Sequence, residues 1–286
     1  MPVPTIASTI GGLVRLVHPF PSLLDGAATV AIALVAGADL PTAVRLGGSM
    51  VALQASIGAL NDVVDATSDV GRKPGKPIPA GLVTRRTGRA VAVIGAGLGL
   101  ALALPSGPGL VALAGLGLGI GYAYDLAAKG TVWSWVPLAV GIPVLPVFAW
   151  FGTTARLPAA FSILLPAAIL AGAALAIANA RADQERDVAA GLDSVAIRLG
   201  PAGAWRTGAG LQAIVAFVAL ASLWLGGGSA VAVGCAIGAG LIVAAGVGWA
   251  RPPTSTPARR ERAWEIQAIG VALLAAAWLA GVRGLG

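Results

Sequence analysis

Apolar stretches close to the roughly 20 residues needed to cross a bilayer recur along this chain from one end to the other, leaving no polar segment long enough to build a soluble domain. Nine such stretches are read, at about 20–35, 41–60, 87–104, 107–124, 136–151, 161–178, 202–225, 229–249 and 264–282. A backbone facing lipid must satisfy its own hydrogen bonds, and these stretches are too long and too unalternating for barrel strands. The expected fold class is therefore all-α: a polytopic membrane helical bundle with nine transmembrane helices, residues 1–286 forming one domain. The balance of 57% hydrophobic against 11% charged residues agrees, since an ordinary soluble domain is about a quarter charged. No basic cluster precedes the first stretch and no small-residue cleavage site follows it, so it is expected to remain as an anchor.

The net charge of +7 could suggest a nucleic-acid partner, but the basic residues fall in short loops between spans, where positive charge records topology. With the N-terminus inside, all of the 19 basic residues except Arg45, Arg156 and Arg283 come to one side. The expectation is a cytoplasmic N-terminus, cytoplasmic motif loops at 61–86 and 179–200, and no nucleic acid. Cys235, the one cysteine, reads as a small packing residue. Runs such as Gly95, Gly97, Gly99 and Gly115, Gly117, Gly119, Gly121 read as close helix approach and not as phosphate loops. Tryptophans including Trp133, Trp150 and Trp249 read as an interfacial belt, and Pro143 and Pro146 as sites where the fifth span kinks or unwinds. The string RPPTSTPARRERAW reads as a basic loop on anionic headgroups.

The acidic residues carry more information, because they contribute little to topology and are costly near hydrocarbon. In NDVVDATSD, Asn61, Asp65 and Asp69 are spaced i, i+4, i+8, with Asp62 three before Asp65, so a helix continuing from the second span would put all four on one face. In NARADQERD, Asn179, Asp183 and Asp187 repeat that spacing at the end of the sixth span. Carboxylates crowded on one face repel unless a cation intervenes, and a hard divalent ion such as magnesium takes oxygen ligands, one or two carboxylates plus water and phosphate. Two such faces beside a rim of Arg and Lys describe a metal-held polyphosphate site. The competing reading is a set of solvated salt bridges with Arg72, Lys73, Arg181 and Arg186. Glu185 would point to the other side of its helix. Asp25, inside the first span, should face the interior; His18, at the start of that span, reads first as packing and second as a general base or diphosphate contact.

NDVVDATSD followed by GRKPGKPIPAGLVT resembles the first signature of the UbiA superfamily of intramembrane prenyltransferases, and DQERDVAAGLDSVAIRLG resembles its second. The resemblance implies Mg2+, as two ions bridged by the substrate diphosphate, held by Asn61, Asp62, Asp65, Asp69, Asp183 and Asp187. Asp65, Asp69, Asp183 and Asp187 would be the catalytic set. It further implies that Arg72 and Lys76 contact the diphosphate, that Tyr124, Lys129 and Asn179 line the same cavity, and that Arg15 is the basic residue near the first span. Asp193 before Ser194 departs from the family's usual basic residue there. The implied reaction moves a prenyl group from a prenyl diphosphate donor to an aromatic or hydroxyl-bearing lipophilic acceptor, releasing diphosphate, at the cytoplasmic side of the cell membrane among membrane lipids. A membrane terpene cyclase and a cation-coupled transporter are the alternatives.

Overall fold

The computed structural model describes residues 5–71, 73 and 75–282. Among them every regular element is helical: α1 (Ile6–Leu16), α2 (Pro19–Ala36), α3 (Leu40–Asp65), α4 (Arg85–Ala103), α5 (Pro108–Ala123), α6 (Val136–Thr154), α7 (Phe161–Ala182), α8 (Gln184–Ala189), α9 (Val195–Leu225), α10 (Ala230–Trp249) and α11 (Pro257–Val282). Nine of these are long and apolar enough to cross a membrane, as the hydropathy predicts. Polar caps set several starts: Asp39 accepts from the Thr42 amide, Thr84 from Thr87 and Ser229 from Ala232. Sequential helices pack as neighbours, and α11 closes the bundle by returning against α2 and α7. One core gathers Ile32, Trp150, Leu164, Leu223 and Trp278; another gathers Leu46, Leu53, Leu110 and Phe148. Outward faces carry Val93, Ile94, Phe217 and Leu241, exposed as side chains solvated by lipid would be.

Several expectations need correction. Hydropathy overlooks α1, an 11-residue helix capped by Thr5 that buries Gly12 and Leu16 while Ile6, Ile10 and Val14 stay exposed on one stripe. It is too short to span and has the character of a helix lying in the membrane boundary. The fifth span does not unwind at Pro143 and Pro146, both buried inside a continuous α6. The break falls in α9, where Gly200 (φ 67°, ψ 167°) is non-helical and Pro201 starts a second segment. Trp150 and Trp278 belong to the core and not to a belt. Cys235 is exposed rather than packed.

The glycine runs divide by face. Gly95 and Gly99 lie against α3, where an added Cβ would come within 2.8 Å of Ala52 O and 2.6 Å of Leu53, while Gly97, Gly115 and Gly119 would meet nothing within 4 Å. The tightest backbone approach is between α7 and α6: a Cβ on Gly172 would sit 2.4 Å from Leu138 O and 2.9 Å from Ala139 Cα. Backbone cannot swing aside as a side-chain tip can, so Gly172→Ala is expected to push the helices apart and cost about 1–3 kcal/mol or more. Its thermal midpoint in detergent should fall clearly, while Gly119→Ala should leave the midpoint unchanged.

Candidate active site

The acidic residues meet at one end of the bundle because α3, α5 and α7 all finish there. α3 carries Asn61, Asp62 and Asp65, and the turns after it continue far enough for the Asp69 amide to bond Asp65 O, placing Asp69 one turn further on. Asp183 stands at the junction of α7 and α8, and Asp187 follows one turn later in α8. A π-helical turn after α5, Tyr124–Ala128, widens the helix end and delivers Tyr124, Asp125 and then Lys129 to the same place.

The result is a cavity of about 270 Å³ whose wall includes Asp65, Asp69, Asp125, Asp183 and Asp187 together with Lys73, Lys129 and Arg186. Tyr124, Asn179 and Ser194 complete much of it. Lys129 pairs with Asp65, Arg186 with Asp183, and Lys73 Nζ lies 3.4 Å from Asp183 Oδ2. Burial pushes the Asp69 carboxyl above the usual range, with Lys73 pulling back and Asp65 adding repulsion. Burial raises Asp187 as well, and the neighbouring Asp183 charge adds to it. Among the described residues, two buried polar atoms on this wall have no hydrogen-bond partner, Asp125 Oδ2 and Ser134 Oγ, while Ser194 stands beside Asp187. Buried polar groups are ordinarily satisfied, so unsatisfied ones concentrated in one cavity point to a polar ligand there.

Five carboxylates face three basic groups, so the wall alone repels a polyanion unless cations accompany it. No group of three or more Asp, Glu, His and Cys among the described residues is close enough to cage an ion by itself. An oxygen-only donor set arranged in separated pairs fits magnesium, which keeps water and phosphate oxygens in its shell and does not require an all-protein cage.

The predicted residues divide. Asp65, Asp69, Tyr124, Lys129, Asn179, Asp183 and Asp187 line the cavity. Asn61, Asp62 and Lys76 do not line it; they form a buried network behind it. Asp62 is 1% exposed, and its Oδ1 takes both His18 Nε2 at 2.8 Å and Lys76 Nζ. Lys76 Nζ also reaches Asn61 Oδ1 at 3.4 Å, and Asn61 donates to Asp125 Oδ1 at 2.7 Å. The helix face is therefore shared as the spacing predicts only by Asp65 and Asp69, while Asn61 and Asp62 turn toward the residues that hold α2, the 73–83 loop and the π-turn together. His18, at φ 47°, is held against Gly58 and Asp62 and ties α2 to α3. Arg15 is exposed on α1 and does not line the cavity. Arg72 lies outside the described residues.

Glu185 takes the far side of α8 as its spacing predicts and pairs with Arg260. Asp193 is held away from the cavity by Arg198, whose Nε donates to both carboxylate oxygens at 2.7 and 2.8 Å and whose Nη2 donates to Oδ2. Asp25 faces inward, where Gln54 Nε2 donates to its Oδ2 at 2.5 Å, on the wall of an apolar cavity among α2, α6, α7, α9 and α11. That cavity includes Leu175, one helical turn from Asn179 in the acidic cavity, so α7 serves both. The reading of the residues missed Asp125 and Ser194. Asp125 had a signal, an acid at the end of an apolar span; Ser194 had none beyond the resemblance.

Comparisons with known proteins follow the same lines. A UbiA homolog from Aeropyrum pernix K1 superposes with a TM-score of 0.74 at 19% identity, covering 89% of this chain and 96% of that one. A digeranylgeranylglyceryl phosphate synthase structure gives 0.71 at 14% identity, covering 96% and 99%. A UbiA homolog from Archaeoglobus fulgidus bound to GPP and Mg2+ gives 0.66 at 18% identity, covering 92% and 99%. At such identities the likeness is one of fold. No curated protein sequence matches significantly. The model of the UbiA prenyltransferase family matches residues 24–266, from the first span to the last and through both acidic segments, and the chain is thus an integral membrane protein belonging to that family.

Proposed function

We propose that the chain transfers a prenyl group from a prenyl diphosphate to a lipophilic acceptor bearing an aromatic carbon or a hydroxyl, with release of diphosphate. The observation that carries this reading is the stacking of two cavities on α7, an acidic one with unsatisfied polar atoms above and an apolar one a single turn below. A molecule with a polyphosphate head and a hydrocarbon tail matches that division. Structures of relatives with GPP and DMAPP together with Mg2+ support a prenyl diphosphate donor and a divalent metal.

Asp65, Asp69, Asp183 and Asp187 would hold two magnesium ions, one pair of carboxylates from each side. The ions, when bound, supply the positive charge that stabilises diphosphate as a leaving group. Lys73, Lys129 and Arg186 donate to phosphate oxygens, exchanging their present carboxylate partners for the substrate. Asn179 and Tyr124 orient the head, and Asn61, through Asp125, fixes the π-turn that presents Tyr124 and Lys129. The apolar cavity takes the tail and keeps water from the reacting carbon. With the basic loops inside, the site faces the cytoplasm from the cell membrane.

Purified protein given a panel of prenyl diphosphates and acceptors should release diphosphate only with magnesium, and chelator should abolish the release. Cyclised product formed without acceptor would instead mark a terpene cyclase, and no reaction with any prenyl diphosphate would sink the reading. The same assay has a pH signature. Because Asp69 and Asp187 titrate above ordinary aspartates, protons displace the metal at higher pH than they otherwise would. The magnesium concentration for half-maximal rate should therefore rise as pH falls toward those raised values; a constant requirement would count against these two ligands.

A further inference from the structure

On the opposite side of α8 lies a second cavity, of about 990 Å³, that the prenyl-transfer reading does not use. Asp183, Arg186 and Asp187 face the acidic cavity, whereas Gln184, Glu185 and Val188 face this one, so α8 is the wall between them. Four guanidiniums line it, Arg181, Arg206, Arg251 and Arg260, against the single carboxylate of Glu185.

Two of the four are buried. Arg181 is 5% exposed and spends Nη2 on Ala250 O at 2.8 Å; Arg260 is 8% exposed and uses Nη1 on Ser255 O at 2.9 Å and Nη2 on Glu185. The Nε of each is buried without a partner among the described residues. Glu185 supplies one carboxylate to Arg260, whereas Arg181 has none among the described residues, and a buried guanidinium without an anion is costly unless another anion completes it. The other two arginines are exposed at the mouth, Arg251 with its guanidinium carbon 5.5 Å from the ring centre of Trp205, which is itself anchored by Nε1 to Val247 O at 2.9 Å. The wall also includes Pro201 and Ala202, which start the second segment of α9 after the break at Gly200; the beginning of a helix favours negative charge.

We propose that this basic cavity is a binding site for a phosphate-bearing anion, a phospholipid headgroup or a free phosphate, separate from the diphosphate site. Planar guanidiniums converging on one space match phosphate oxygens in pairs, and basic pockets between helices at a membrane surface suit anionic headgroups. An anion held here braces α8 from behind, on the helix that carries Asp187.

The test uses the full chain, delipidated in detergent, with chelator present and no prenyl diphosphate, so that its outcome is independent of prenyl transfer. Binding of phosphatidylglycerol, phosphatidylcholine and inorganic phosphate is measured by native mass spectrometry and by the thermal midpoint, in the unaltered protein and in Arg206→Gln/Arg251→Gln, whose altered side chains are exposed and leave the core intact. Phosphatidylglycerol or phosphate should bind and raise the midpoint, with affinity about tenfold or more weaker in the double variant. Variant-sensitive binding of phosphatidylglycerol alone identifies a lipid headgroup; variant-sensitive binding of inorganic phosphate identifies a free anion. Equal binding in both proteins, no binding at all, or equal preference for phosphatidylcholine overturns the proposal.

Discussion

Asp65→Asn and Asp183→Asn should each lower the rate of magnesium-dependent diphosphate release by about 10²–10³-fold, the scale set by losing one group that stabilises charge in a preorganised site. Asparagine keeps the shape and removes the charge. Asp65 comes from the end of α3 and Asp183 stands at the junction of α7 and α8, so each variant removes one of the two carboxylates on its side of the cavity and leaves the other side intact. Both residues sit at its wall with side chains partly open, 14% and 33% exposed, and the fold should tolerate the change. The basic partners are then freed: Lys129 loses Asp65, while Lys73 and Arg186 lose Asp183. Diphosphate substrate should consequently still bind, and the loss should appear in turnover and in magnesium requirement. Asp193→Asn is the control, since that exposed carboxylate is paired with Arg198 outside the cavity and should leave the rate unchanged. Full activity in both Asp65→Asn and Asp183→Asn would remove the basis for a two-sided metal site.

Asp62→Ala should behave oppositely, destabilising the protein by about 3–5 kcal/mol while the molecules that remain folded keep their magnesium requirement. The residue is buried against the half-buried Lys76 and His18, so its removal leaves a half-buried ammonium and an imidazole without the carboxylate that holds them. Lys76→Met should also destabilise, by leaving the buried Asp62 with His18 as its one remaining side-chain partner among the described residues. Combining Asp62→Ala with Lys76→Met should recover part of the loss, because no unpaired charge is then left behind. Thermal unfolding in detergent of the single and double variants measures the coupling. Should Asp62 hold metal, as its place in the motif implies, Asp62→Ala would raise the magnesium requirement steeply and barely move the midpoint. The two readouts therefore separate a ligand from a residue that positions the π-turn through Asn61 and Asp125.

These two residues mark the boundary of what spacing can say. Asp62 and Asp65 are three apart and share a helical face in projection, yet Asp65 reaches the cavity and Asp62 turns behind it. A face on α3 is wide enough to meet two different neighbours, the π-turn with Lys129 on one side and the 73–83 loop with α2 on the other. Which neighbour meets which carboxylate depends on contacts 44 residues away for His18 and 64 for Lys129. No local pattern encodes those distances. The same holds for Asp25, whose need for an interior partner follows from its burial in an apolar span but whose partner, Gln54, comes from the next helix. The glycine runs repeat the lesson. Gly95 and Gly97 are equivalent in the sequence, but only Gly95 faces α3.

The amino-acid sequence by itself determined the all-helical membrane class, the nine spans and the two acidic segments. Each of these rests on a local cost: an unpaired backbone in lipid, a charge near hydrocarbon, or crowded like charges on one helix. Only the tertiary structure decided which acids face the shared cavity, that Asp125 joins them through a π-helical turn, and that α8 divides an acidic cavity from a basic one. Those outcomes depend on how helices distant along the chain rotate and approach, which is fixed by packing across the whole bundle and not by any segment within it.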